Sequence, residues 1–141
     1  DNWHNIAQNL AEYFFVITYD ARNHGKSFHD DDASYDAMAE DLKKLSDKFG
    51  HDTFNLIGHS MGGYLTLMFH KLYPELLSGF CLFHSHPFSD TEETKKKRLR
   101  EIDFVNEGKK DLIATFNIPN AFADDNRKRF KQNYFKKKKY I

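Results

Sequence analysis

Gly58-His59-Ser60-Met61-Gly62 is the stretch of this sequence best suited to chemistry. It puts one serine between two glycines, after the β-prone run Phe54-Asn55-Leu56-Ile57 and before the apolar stretch that starts at Tyr64. Gly-x-Ser-x-Gly in that setting is a nucleophile elbow: a strand turns abruptly into a helix and holds the hydroxyl proud of the sheet. Glycines are expected at 58 and 62 because a side chain at either flank would collide with the neighbouring strand or helix. Ser60 would then stand at a helix N-terminus, with the backbone N–H of Met61 aimed where charge develops on an attacked carbonyl oxygen. The plainer reading is a glycine-rich turn whose serine only caps the helix. A cap does not ask for both glycines, so the nucleophile reading is carried forward.

Rival constellations are thinner. His84-x-His86 has metal-like spacing, but no cysteine pair or nearby carboxylate pattern completes a tetrahedral set, so no metal is expected. Asp20 closes a β-prone run, at the kind of strand edge where sites gather; loop hydrogen bonding accounts for it equally well. Between Arg127 and Ile141 there are eight Lys or Arg, four aromatics and no acid. Such a tail, alone of its kind here, suits a non-catalytic module that tracks nucleic acid or an anionic surface. No nucleic-acid-binding signature accompanies it, which weighs against nucleic acid.

The elements that would position Ser60 follow from the hydrophobic pattern. Trp3, Ile6, Ala7 and Leu10 share one face of a short helix. Phe14-Phe15-Val16-Ile17-Thr18-Tyr19 is continuously apolar, which predicts a strand covered on both faces in a parallel sheet. A loop over 20–32 leads to a helix from about Ser34, with Tyr35, Met38, Ala39, Leu42, Leu45 and Phe49 as its buried stripe and Gly50 as its stop. Strands are predicted over 53–57 and 79–84, on either side of a buried helix that Pro74 ends. This alternation implies βαβ units and an α/β fold with a parallel sheet. A charged helix is predicted over 94–107 with Leu99, Ile102 and Val105 inward, then a segment over 111–118 broken by Pro119.

Composition sets the outer limits. The 141 residues are 40% hydrophobic and 16% aromatic, a globular composition large enough for one modest core. A net charge of zero hides a split: residues 1–90 hold 6 basic against 13 acidic groups, and 91–141 hold 15 against 8. An exposed Lys-rich helical segment accounts for the basic part. No apolar run is long enough to span a membrane and no leader-like segment opens the chain. With Cys81 the lone cysteine, a cytoplasmic, reducing setting is expected, although a start at Asp1 rather than Met leaves room for a missing N-terminus.

The motifs together resemble α/β-fold hydrolases of the esterase and lipase type. Leu56-Ile57-Gly58-His59-Ser60-Met61-Gly62-Gly63 looks like that family's elbow, and Val16 to Asp20 with Arg22-Asn23-His24-Gly25-Lys26-Ser27 resembles its fourth strand and the loop after it. Met38-Ala39-x-Asp41-Leu42 is similar to the helix before the elbow, Tyr73-Pro74-Glu75-Leu76-Leu77 to the exit after it, and Leu82-Phe83-His84-Ser85 to the sixth strand. The resemblance implies a partial α/β-hydrolase core over residues 1–90 and the start of a helical cap over 91–141. It implies Ser60 as nucleophile, Met61 N–H as oxyanion donor, Gly58, His59 and Gly62 as elbow neighbours, an ester-like small-molecule substrate and no cofactor. In this fold dehalogenases use Asp, so Ser60 argues for ester chemistry. By the same resemblance His24 is a structural loop residue, while Asp90 holds a place that a minority of such enzymes give to the acid. The triad acid and His are expected after Ile141 and a further strand before Asp1, which makes the chain a fragment. By family topology that missing strand lies between the first two strands here.

Overall fold

A computed structural model describes residues 3–120 and 122–129. The part of the basic tail from Phe130 onward lies outside the described residues. Backbone contacts divide the chain into two compact units, Asp1–Pro87 and Phe88–Ile141.

The first unit is built on one βαβ crossover. Strand β1 (Phe54–His59) leads into helix α3 (Met61–Leu72), and a 3-10 turn at Pro74–Leu76 returns the chain to strand β2 (Leu77–Phe83). The two strands pair in parallel from Asn55 opposite Gly79 to His59 opposite Phe83, with an irregularity between Phe54 and Asn55. Before them come α1 (His4–Leu10) and α2 (Tyr35–Phe49). Ser34 caps α2, its hydroxyl accepting from the Ala37 N–H at 3.2 Å, and Gly50 ends it at φ 67°, a left-handed conformation that glycine adopts without penalty. Met38, Ala39 and Leu42 of α2 meet Leu65 and Phe69 of α3 in the core, with Phe54, Leu56 and Leu77 packed against them. Removal of this apolar surface from water holds the crossover together.

Three expectations fail in this unit. Residues 14–19 form no strand: the two strands among the described residues pair with each other, and Phe14, Phe15 and Ile17 are exposed. The reason is the absence of a ladder partner. β-propensity creates no strand until another strand takes up its N–H and C=O groups. The chain here continues directly from α1, whose Leu10 carbonyl accepts from the N–H groups of Tyr13 and Phe14. The alternating series therefore has two strands in place of three. Finally, α3 is buried only along Gly63, Leu65, Thr66 and Phe69, while His70, Lys71 and Leu72 are exposed at its C-terminal end.

The second unit comprises α4 (Glu92–Asn106), α5 (Lys110–Asn120) and α6 (Asp124–Arg129). Thr91 caps α4 through the Thr94 N–H at 3.2 Å, and Gly108 at φ 72° comes just after its end. Leu99, Ile102 and Val105, expected inward, are exposed. Helix α4 meets α5 through Glu101, which accepts from Asn117 Nδ2 at 2.9 Å, and Phe104 is half-buried. At about 100° per residue those positions lie well round the helix from Leu99. Nor does Pro119 break α5, which ends one residue later. In the last turn a proline forfeits a single backbone bond, and Asn120 Nδ2 donates to the Phe116 carbonyl at 3.0 Å there.

Candidate active site at the β1–α3 turn

Every residue of the predicted elbow lies at the junction of β1 and α3. Ser60 comes directly after the last residue of β1 and before the first of α3, with its own N–H donating to the Phe83 carbonyl at 3.0 Å, so the sheet holds it up to the bend. Its backbone stands at φ 53°, ψ −115°. A non-glycine residue held there costs about 1–3 kcal/mol and persists only where its surroundings over-determine it. The side chain is exposed and makes no cap bond to the helix. The capping explanation for this serine therefore fails. Met61 opens α3, so its N–H is among the first-turn donors that have no acceptor within the helix. The Met61 side chain packs against the core and anchors that first turn.

The glycines divide differently from expectation. A Cβ on Gly58 would lie 2.2 Å from the Gly62 carbonyl oxygen and 2.3 Å from Thr66 Oγ1, so the buried position 58 tolerates glycine alone. At Gly62 an added Cβ meets nothing within 4 Å, and the collision expected there does not occur. The crowded partner is Gly63, whose Cβ would fall 2.1 Å from Ser85 Oγ. Spacing along the sequence singles out neither Ser85 nor Thr66 as a site residue. Thr66 is buried and donates to the Gly62 carbonyl at 2.9 Å, tying the turn to the helix body. A polar residue in an apolar helix face is the one sign of it in the sequence.

The remaining candidates have local partners. His59 packs its ring against Trp3, Phe83 and His84, with centroids 6.2, 5.7 and 6.2 Å away. His86 stands edge-on to Tyr64 at 6.2 Å. His84 has φ 47° just after β2. Among the described residues no hydrogen bond joins a histidine to Ser60, and no group of three or more His, Cys, Asp or Glu could hold a metal ion.

Asp20 and His24 belong to the loop over 20–32. Asp20 accepts from the Lys26 N–H at 3.1 Å, and His24 Nδ1 meets the Arg22 carbonyl at 2.9 Å. Arg22 fastens this loop to α2 through a two-pronged contact with Asp41 at 2.6 and 2.9 Å. The hydrogen bond to Asp41 raises the Arg22 pKa further above its ordinary value, against the opposing effect of burial. Asp90 is occupied by Arg98, at 2.6 and 3.3 Å, within the second unit.

Known proteins carry the same architecture. Over 76 residues the chain is 40% identical to the mouse sn-1-specific diacylglycerol lipase ABHD11, a match covering 54% of this chain and 25% of that protein. A marine microorganism esterase superposes with a TM-score of 0.65 at 39% identity, over 72% of this chain and 40% of the other. An esterase from Thermogutta terrifontis does so at 0.82 and 27% identity, over 99% of this chain and 52% of the other. The chain thus spans about a quarter of the curated relative and about half of the second esterase. No helix among the described residues is long and apolar enough to cross a membrane. With residues 1–131 matching the model of the alpha/beta hydrolase fold, the chain belongs to that family.

Proposed function

We propose that this chain carries the nucleophile-bearing part of a serine hydrolase that cleaves ester-like carbonyl substrates through an acyl-enzyme on Ser60. The observation that carries the reading is the backbone of Ser60, held at φ 53° with an exposed hydroxyl that caps nothing. A strained serine whose hydroxyl contributes nothing to the fold has its use in presenting that hydroxyl. Likeness to proteins named as esterases and as a lipase supports the substrate class.

In the proposed reaction, Ser60 Oγ attacks the ester carbonyl carbon and its proton passes to a histidine base. The Met61 N–H donates to the oxyanion of the tetrahedral intermediate, and the alkoxide leaves with the proton from that base. Water then hydrolyses the acyl-serine by the same steps. The base and its acid partner are assigned to the parent protein outside residues 1–141. Turnover by residues 1–141 alone is accordingly expected to be weak.

The test is labelling of the full-length protein with a fluorophosphonate probe, followed by peptide mapping. Adduct on Ser60, and loss of both label and esterase turnover in Ser60→Ala, is the expected outcome. A probe that reacts elsewhere, or turnover that survives the substitution, would overturn it.

A further inference from the structure

At the end of β2 the chain places Ser85 against the first turn of α3. Its Oγ is buried and has no hydrogen-bond partner among the described residues. A buried hydroxyl without a partner forfeits solvation and gets nothing back, so its place there calls for another explanation. The contact it makes supplies one. A Cβ built on Gly63 would lie 2.1 Å from Ser85 Oγ and 2.5 Å from Ser85 Cβ; the next atom, Leu82 Cδ2, is 3.5 Å away, an ordinary contact. The Gly63 backbone thus presses directly on one small side chain. Gly63 N–H in turn donates to the Ser60 carbonyl at 2.9 Å, closing the tight turn that contains Met61.

We infer that Ser85 is a positioning residue for the elbow. It is the stop against which the first turn of α3 seats, and through Gly63 it sets the Met61 N–H relative to Ser60 Oγ. The inference rests on the proposed role of Ser60. Its action is steric and indirect, since Ser85 reaches the reacting atoms only through the turn. A shift of the first turn by a fraction of an ångström would leave substrate binding unchanged and misplace the oxyanion donor, which lowers kcat with little change in KM.

The size match gives a reciprocal test in the full-length protein, with p-nitrophenyl acetate as the probe substrate. Gly63→Ala should cut kcat by about tenfold or more at nearly constant KM, and lower the melting temperature. Adding Ser85→Gly removes both colliding atoms, so the double variant should recover most of kcat and of the melting temperature together. Should Gly63→Ala fail to fold, recovery of soluble, active protein in the double variant supports the inference equally. It is overturned by a kcat loss that Ser85→Gly leaves in place, by recovery of stability without kcat, or by a double variant that still does not fold. A wild-type protein without Ser60-dependent turnover is a separate result, which removes the catalytic reading and this inference with it.

Discussion

Two stretches of nearly the same character meet different ends in this chain. Phe14-Phe15-Val16-Ile17-Thr18-Tyr19 is the more β-prone of the two and forms no ladder, whereas Phe54-Asn55-Leu56-Ile57-Gly58-His59 is β1. The difference lies downstream of each stretch. After β1 the chain turns at Ser60, runs back along α3 and delivers β2 beside it, so partner and cover arrive within thirty residues. After residue 19 comes a loop fastened to α2 by Arg22, and no strand among the described residues stands alongside. A strand depends on its partner for hydrogen bonds; local preference only makes the pairing favourable when it is offered.

Paired substitutions in the two stretches and their surroundings would sharpen or break this contrast. The largest effect is expected from aromatic truncation. Phe69, fully buried beneath β1, should lose about 3–5 kcal/mol on change to Ala. Phe15 is 71% exposed, with Phe49 and His51 beside its ring, and its change to Ala should cost about 1 kcal/mol or less. Urea unfolding of the two variants measures both. Equal losses would mean that residues 14–19 are packed in solution after all.

A middle-sized effect separates the two glycines of the motif. Gly58→Ala drives a Cβ into the Gly62 carbonyl and Thr66, an overpacking expected to cost about 1–3 kcal/mol. Gly62→Ala meets open space in a helical turn, so stability should hold or rise by up to about 1 kcal/mol. If both variants lose stability alike, the tight approach is not confined to one side of Ser60.

The smallest effect concerns the loop between the two stretches. Hydrogen bonds from Ser34, its side chain first and its backbone N–H second, hold the Asp32 carboxyl below its ordinary value of 3.8. A lowered folded-state pKa stabilises the fold above the ordinary carboxylate value, and that contribution is lost as pH falls through the folded value. Asp32→Asn should therefore flatten the acid limb of stability slightly and leave neutral pH almost untouched. Unfolding midpoints of wild type and variant across the acid limb would reveal a larger change, which would mean that the loop contributes more than its exposure suggests.

Much of the site was legible in the linear pattern. Gly58, Ser60 and Gly62 marked the bend; Ser34 and Gly50 marked the bounds of α2; Pro74 marked the end of α3. Ser34, Gly50 and Pro74 are local devices, set by a cap, a φ preference and a missing N–H, and each acts within a few residues of itself. Ser85 was not legible as part of the turn, because its link to Gly63 spans the whole of α3 and β2. The helical stripe of Leu99, Ile102 and Val105 suggests a buried face, yet a stripe states only that a face is apolar, and here that face is exposed.

By itself the sequence determined where the backbone bends, where α2 starts and stops and which residue stands at the apex of the turn, since each of those depends on neighbours along the chain. Tertiary structure alone decided which β-prone run becomes a strand, which face of α4 meets α5 and which glycine is crowded. Those outcomes depend on what a distant segment brings alongside, and pairing or close packing exists only once both surfaces have met.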